Sequence, residues 1–286
     1  MSTAKSVAIL GAGRVGTPIA KALLAKGVDV RILSRTSDAK PGLEQAKIVP
    51  VDYQSKDSIK AALSGVDVVI STLSTTPDFL QSQKNVADVG KEIGLKLFVT
   101  SDFGVDLRKI PAESIASTLQ VKVQVAEYTA SIGLPTLRFF TGLFAEFLFT
   151  PFLGWDAQKK TMSIVGNDQQ PIGSTSLRDV GGFVAHVLTT QPLDQLAGQE
   201  LSPQSFRGTW RDYIKTFEEV KGTGPLDVTV VPVDEAYKTL ATLDNPGAQF
   251  VYWLKIAFAH GWGDTTSDNA KVGYQPIVSS PKDVIL

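Results

Sequence analysis

The six residues Gly11-Ala12-Gly13-Arg14-Val15-Gly16 lie between a short apolar run, Val7 to Leu10, and a segment of helical apolar spacing, Val15 to Ala25. Three glycines at this spacing, in a strand-turn-helix context, constrain the chain more than any other feature. The first permits a tight turn, the second lets backbone approach a ligand closely, and the third lets the helix pack against the strand. The helix start adds unpaired N–H groups and a partial positive charge. Gly11, Gly13, Arg14, Val15 and Gly16 therefore suit the pyrophosphate of a dinucleotide. A glycine-rich turn without a ligand is the plainer reading, and the flanking strand and helix weigh against it.

The same alternation continues after the turn. Val28–Leu33, Ile48–Val51, Val66–Ser71, Leu95–Thr100 and Thr136–Phe140 read as strands, and Ser55–Leu63, Phe79–Ile93 and most of Pro111–Ser131 as helices. Near-continuous apolar strands between helices imply a parallel sheet covered on both faces, with right-handed crossovers. The expected class is α/β, a Rossmann-type doubly wound sheet. After about residue 150 turn residues crowd together from Gly166 to Gly173, and Ser176 with Asp179 forms a capping-box pattern ahead of a helix, Val180–Leu188. Further elements are expected at Thr209–Val220, Val228–Val231, Asp234–Leu243 and Ala248–Ala259. This predicts a nucleotide-binding domain over 1–150 and a smaller α+β substrate lobe over 151–286, with some late segments free to return to the main sheet.

Composition narrows the partners. With 28 basic and 29 acidic residues, nothing favours nucleic acid or an anionic membrane surface, so a small molecule is the expected partner of a monomer or homodimer. The absence of cysteine removes disulfides, thiolate nucleophiles and thiolate metal ligands. Two histidines, His186 and His260, do not suggest a metal site. The stretch Leu134–Phe152 is interrupted by Arg138, Gly142, Glu146 and Pro151, so it reads as a core strand and helix and not a membrane span. No signal-peptide pattern precedes the first strand, and a cytoplasmic location is the expectation.

Cofactor choice depends on the end of the second strand, where an NAD site places an acid on the ribose 2′-hydroxyl. Here the chain reads Ser34-Arg35-Thr36, with Arg35 19 residues after Gly16. A guanidinium can fork onto a 2′-phosphate while Ser34 and Thr36 donate hydrogen bonds. NADP(H) is therefore expected, with Lys40 as a second available cation. A solvated loop arginine is the competing reading. Asp52 fits either the adenine or a loop cap.

These residues resemble the NmrA-like, isoflavone-reductase-like branch of atypical short-chain dehydrogenases. The resemblance runs through Gly11–Gly16, Val30–Arg35 and Val66–Thr72, and through Phe98-Val99-Thr100-Ser101-Asp102-Phe103-Gly104, which is similar to the family's Pro-Ser-Glu-Phe-Gly segment. It implies that Ser71, Thr72, Thr100, Ser101 and Phe103 bind the cofactor, the last three in a segment beside the nicotinamide. It further implies that Lys122, 11 residues before Gly133-Leu134-Pro135, holds the nicotinamide ribose and acts as general base or proton relay. A desolvated lysine can exchange protons near neutrality; an ordinary surface lysine is the alternative. The chain departs from the family in its Gly-x-Gly-x-x-Gly turn, shorter by one residue, and in Asp102 where glutamate is usual. No tyrosine has a lysine four residues later, so a Tyr-x-x-x-Lys pair is absent.

Phe140, Phe144 and His260 are weaker candidates for substrate contact. Core packing competes for the aromatic residues, and satisfaction of helix-terminal carbonyls for the histidine. His186 and Asp179 read as structural. The leading expectation is an NADPH-dependent reductase of a small, largely apolar molecule. A dinucleotide-sensing regulator and a redox-neutral isomerase or epimerase stand as alternatives.

Overall fold

In the computed structural model, which describes residues 2–38 and 40–285, the apolar run before the glycine turn is a central sheet strand whose residues Val7 to Leu10 have no solvent exposure. The elements run β1 (Ser6–Leu10), α1 (Gly16–Ala25), β2 (Asp29–Ser34), β3 (Lys47–Pro50), α2 (Lys56–Leu63), β4 (Val68–Ser71), α3 (Phe79–Glu92), β5 (Leu97–Val99), α4 (Ser117–Ser131) and β6 (Thr136–Phe139). Shorter elements follow: β7 (Leu143–Phe144), β8 (Trp155–Asp156), β9 (Thr161–Val165), β10 (Pro171–Thr175), α5 (Leu177–Thr190), α6 (Leu193–Leu196) and β11 (Glu200–Leu201). The chain continues through β12 (Phe206–Thr209), α7 (Trp210–Lys221), β13 (Asp227–Val231), α8 (Val233–Thr242), α9 (Pro246–Ala259) and α10 (Asn269–Val272).

The main sheet has the order β11-β6-β5-β4-β1-β2-β3, and every neighbouring pair is parallel. Alternate side chains feed two separate cores, as the period of a strand requires. Val7, Ile9, Val68 and Ile70 pack on one face, and Ala8, Leu10, Leu33 and Val69 on the other. Chain order reverses on either side of β1, so a crevice opens between the ends of β1 and β4, where doubly wound sheets bind ligands.

Two segments beyond residue 150 belong to this layer. Strand β11 extends the sheet beside β6. Helix α5 lies against α1 so closely that a Cβ at Gly181 would sit 2.4 Å from the carbonyl oxygen of Pro18. The other late strands form two three-stranded sheets, β12-β10-β7 and β13-β9-β8, over a core that includes Trp155, Trp210, Tyr213 and Phe217.

Three sequence expectations change. Helix α4 begins at Ser117 and not near Pro111, because residues 112–114 form a separate one-turn helix whose Ser114 carbonyl accepts from the Trp253 indole at 2.7 Å. The stretch Leu134–Phe152 holds strands β6 and β7 and two one-turn 3-10 helices, with no α-helix. At the start of α5, Ser176 caps the Asp179 N–H at 3.0 Å as expected, but the reciprocal arm is missing. The Ser176 N–H donates to Ser205, and Asp179 accepts from Ser176, Ser205, Tyr274 and the backbone of Ile277 and Val278. This carboxylate, with no solvent exposure, ties the helix start to the C-terminal segment.

Candidate active site

The glycine turn is built as its spacing requires. Gly11 has φ +85°, and a Cβ at Gly16 would lie 2.2 Å from the Gly11 carbonyl oxygen and 2.6 Å from the Thr72 hydroxyl. Thr72 donates to the carbonyls of Leu10 and Gly11, at 3.0 and 2.8 Å, and so fastens the turn to the end of β4. A Cβ at Gly13 would meet no neighbour within 4 Å, so that side of the turn is open. Val15 stands at the start of α1 with no side-chain cap and no acid in the first helical turn. The turn therefore offers an unblocked helix start to an anion. The exposed Arg14 lies over the Phe147 ring, 4.5 Å from its centre.

An open space of about 690 Å³ beside the turn is lined by Gly11, Gly13, Arg35, Tyr53, Thr72 and Asp78, among others. Arg35 is exposed and makes no ion pair among the described residues. Ser34 accepts from the Thr36 N–H at 3.4 Å, and the Thr36 hydroxyl donates to Asp38 at 2.6 Å. Lys40 does not line this space. Asp52 accepts from the Gln54 N–H at 2.9 Å and so caps the turn before α2. Ser71 has no exposure and accepts from Gln83, which turns it away from the crevice.

The loop after β5 carries the other end of the site. Ser101 donates to the Leu73 carbonyl at 3.0 Å, linking the ends of β5 and β4, and Thr100 donates to Asp102. Phe103 stacks on Phe139 with ring centres 5.9 Å apart. It faces a cavity, open to solvent, whose walls include Leu107, Leu143, Phe144, Phe147, Phe152 and Phe250. Asp102 and Lys122 are the two ionisable residues in that lining. Asp102, buried, accepts from Arg138 Nε and Nη2 at 3.0 Å each, so both its oxygens are engaged.

Lys122 projects from α4 and lines both this cavity and a second groove that contains Leu73, Ser74 and Thr75 from the segment after β4. It forms no hydrogen bond or ion pair among the described residues. The residue keeps partial solvent access, but its amine end is deeply buried. Burial holds its pKa below the ordinary lysine value; Asp102 opposes that shift and Arg138 adds to it.

The structure thus brings Phe144 and Lys122 to one cavity and separates the other weaker candidates from it. Phe140 has no exposure and does not line the cavity; it packs against Arg108 and Arg138, whose guanidinium carbons are 4.5 and 4.9 Å from its ring centre. His260 is exposed at the end of α9, stacked on Trp262 and 3.2 Å from the Tyr237 hydroxyl. His186 Nε2 is 2.8 Å from the Val272 carbonyl oxygen. No cluster of His, Cys, Asp and Glu suited to a metal ion occurs among the described residues, and none of their helices is long and apolar enough to cross a membrane. Arg138 is the site residue that sequence reasoning overlooked. Its signal was present: an arginine inside an apolar strand needs a buried anion.

The phenylcoumaran benzylic ether reductase PT1 of Pinus taeda is 27% identical over 91% of this chain and 87% of its own length. The oxidoreductase aprR of Aspergillus flavus is 30% identical over 65% of this chain, and the match spans 64% of that relative, just under two thirds. Among solved structures, an isoflavone reductase superposes with a TM-score of 0.84 at 17% identity, covering 99% of each chain. The complex of leucoanthocyanidin reductase from Vitis vinifera with NADPH superposes with a TM-score of 0.78 at 20% identity, covering 92% of this chain and 89% of the other. The NmrA-like family profile matches residues 3–262, and the chain belongs to that family.

Proposed function

We propose that this protein is an NADPH-dependent reductase of a small, largely apolar molecule of aromatic or secondary-metabolite type. One observation carries the reading. Lys122, unpaired and desolvated, stands where a groove beside the segment after β4 meets a cavity walled by aromatic and aliphatic side chains. The reductases named above, one of them solved with NADPH, support the same chemistry.

In this reading Gly11, Gly13 and Gly16 seat the pyrophosphate, Arg14 and the start of α1 neutralise it, and Arg35 with Ser34 and Thr36 takes the 2′-phosphate. A dinucleotide held by these residues would supply the hydride for the reduction. Phe103 and the aromatic wall keep water from the reacting carbon, and Lys122 Nζ gives or takes the accompanying proton. The division into a cofactor domain and a smaller substrate lobe, a cytoplasmic setting and action as a monomer or homodimer belong to the same proposal.

The test is NADPH consumption, followed by absorbance, against a panel of isoflavones, leucoanthocyanidins and phenylcoumarans. Oxidation of one NADPH per product is the expected result. Product without net oxidation would indicate an isomerase. Cofactor binding without turnover of any compound would indicate a sensor.

A further inference from the structure

A chain of five charged residues runs behind the cavity. Arg138 contacts both oxygens of Asp102 and reaches Glu200 with Nη1 at 2.9 Å. Arg108 also contacts Glu200, and it forks onto Asp106 through Nε and Nη2 at 2.7 Å each. Both guanidinium groups also lie against the Phe140 ring, 4.5 and 4.9 Å from its centre. Arg138 is thus fixed from both ends and from one face.

The consequence falls on Lys122. Asp102, from the loop after β5, and Arg138, from β6, are the charged groups that act on it. The other residues that line the cavity and the groove around it carry no charge. Asp102 shares the cavity with the lysine, yet its two oxygens are taken by Arg138 and Thr100.

We propose that Arg138 is a positioning residue for Lys122: by claiming both oxygens of Asp102, it keeps the lysine out of an ion pair and free to handle a proton. The proposal rests on the reading of Lys122 given above. Without Arg138 the buried Asp102 would turn to Lys122, the cation that lines the same cavity. A salt-bridged lysine keeps its proton to higher pH, and its amine is drawn away from the substrate.

Competitive labelling with trace acetic anhydride across pH, read by peptide mass spectrometry, gives the titration midpoint of Lys122 in the free protein. It needs neither cofactor nor substrate. Arg138→Met raises that midpoint by about one pH unit or more, as expected for a lysine that gains a carboxylate partner. Asp102→Asn lowers it, and this second variant carries the test if Arg138→Met does not fold. An unmoved midpoint or a shift of opposite sign in a folded variant overturns the proposal. If the midpoints move as stated while Lys122→Ala keeps full turnover, the positioning stands and the proton role of the lysine fails.

Discussion

The guanidinium of Arg14 lies 4.5 Å from the ring centre of Phe147, so a residue of the glycine turn rests on a wall of the aromatic cavity. Arg14 makes no hydrogen bond or ion pair among the described residues, which leaves its donors open to a pyrophosphate while its face stays on the ring. Its place between the second and third glycines predicts a contact common to NADPH and NADH. Arg14→Met should weaken both by the same factor, about 10-fold for one charge-assisted contact, measured by calorimetry. A loss confined to NADPH would move Arg14 to the 2′-phosphate.

Arg35 should behave in the opposite way. It is exposed just after β2 on the edge of the open space beside the glycine turn. Arg35→Gln should weaken NADPH by about 10- to 100-fold, the worth of a forked phosphate contact, and leave NADH nearly unchanged. Equal losses for both cofactors would contradict the assignment.

Lys122 should cost the fold stability at neutral pH. Its folded pKa is held below that of the unfolded chain, so the unfolded state binds the proton more tightly. The penalty is greatest below the folded pKa and disappears as pH rises through the ordinary lysine value of about 10.4. Lys122→Met, similar in length and uncharged, should raise Tm at pH 7, and the gain should shrink towards pH 10. A gain that is constant with pH would assign the effect to packing.

Asp179 should be a stability residue. It has no exposure and accepts from five donors, two of them the backbone N–H groups of Ile277 and Val278. Asp179→Ala leaves these donors without a partner and should cost about 3 kcal/mol or more in chemical unfolding. A change below about 1 kcal/mol would mean that the C-terminal segment is held by other contacts.

The parallel sheet was legible because its strands are apolar on both faces and its helices show their own period, so β1 to β6 lie close to where spacing alone put them. The two small sheets were harder to see. Strands β7 and β8 are two residues each, too short to establish a period, and β10 contains Pro171 and Gly173, which read as turn residues. Gly173 is needed there because a Cβ would lie 2.3 Å from the Thr265 hydroxyl. The glycine turn of the site was plain because its function depends on local backbone. The pairing of Asp102 with Arg138 was not, since it joins residues 36 positions apart through neighbouring strands. Phe140 illustrates the same difficulty: an aromatic residue looks alike in sequence whether it faces a cavity or packs against two guanidinium groups.

The central claim is that Lys122 handles the proton in an NADPH-dependent reduction, and Lys122→Ala tests it most directly. Turnover of a substrate found in the panel, and NADPH affinity by fluorescence titration, should be measured on the same preparation. The account predicts that kcat falls by about 100- to 10,000-fold, the range for loss of a general acid or base, while NADPH affinity changes little. Turnover equal to that of the parent protein would contradict it.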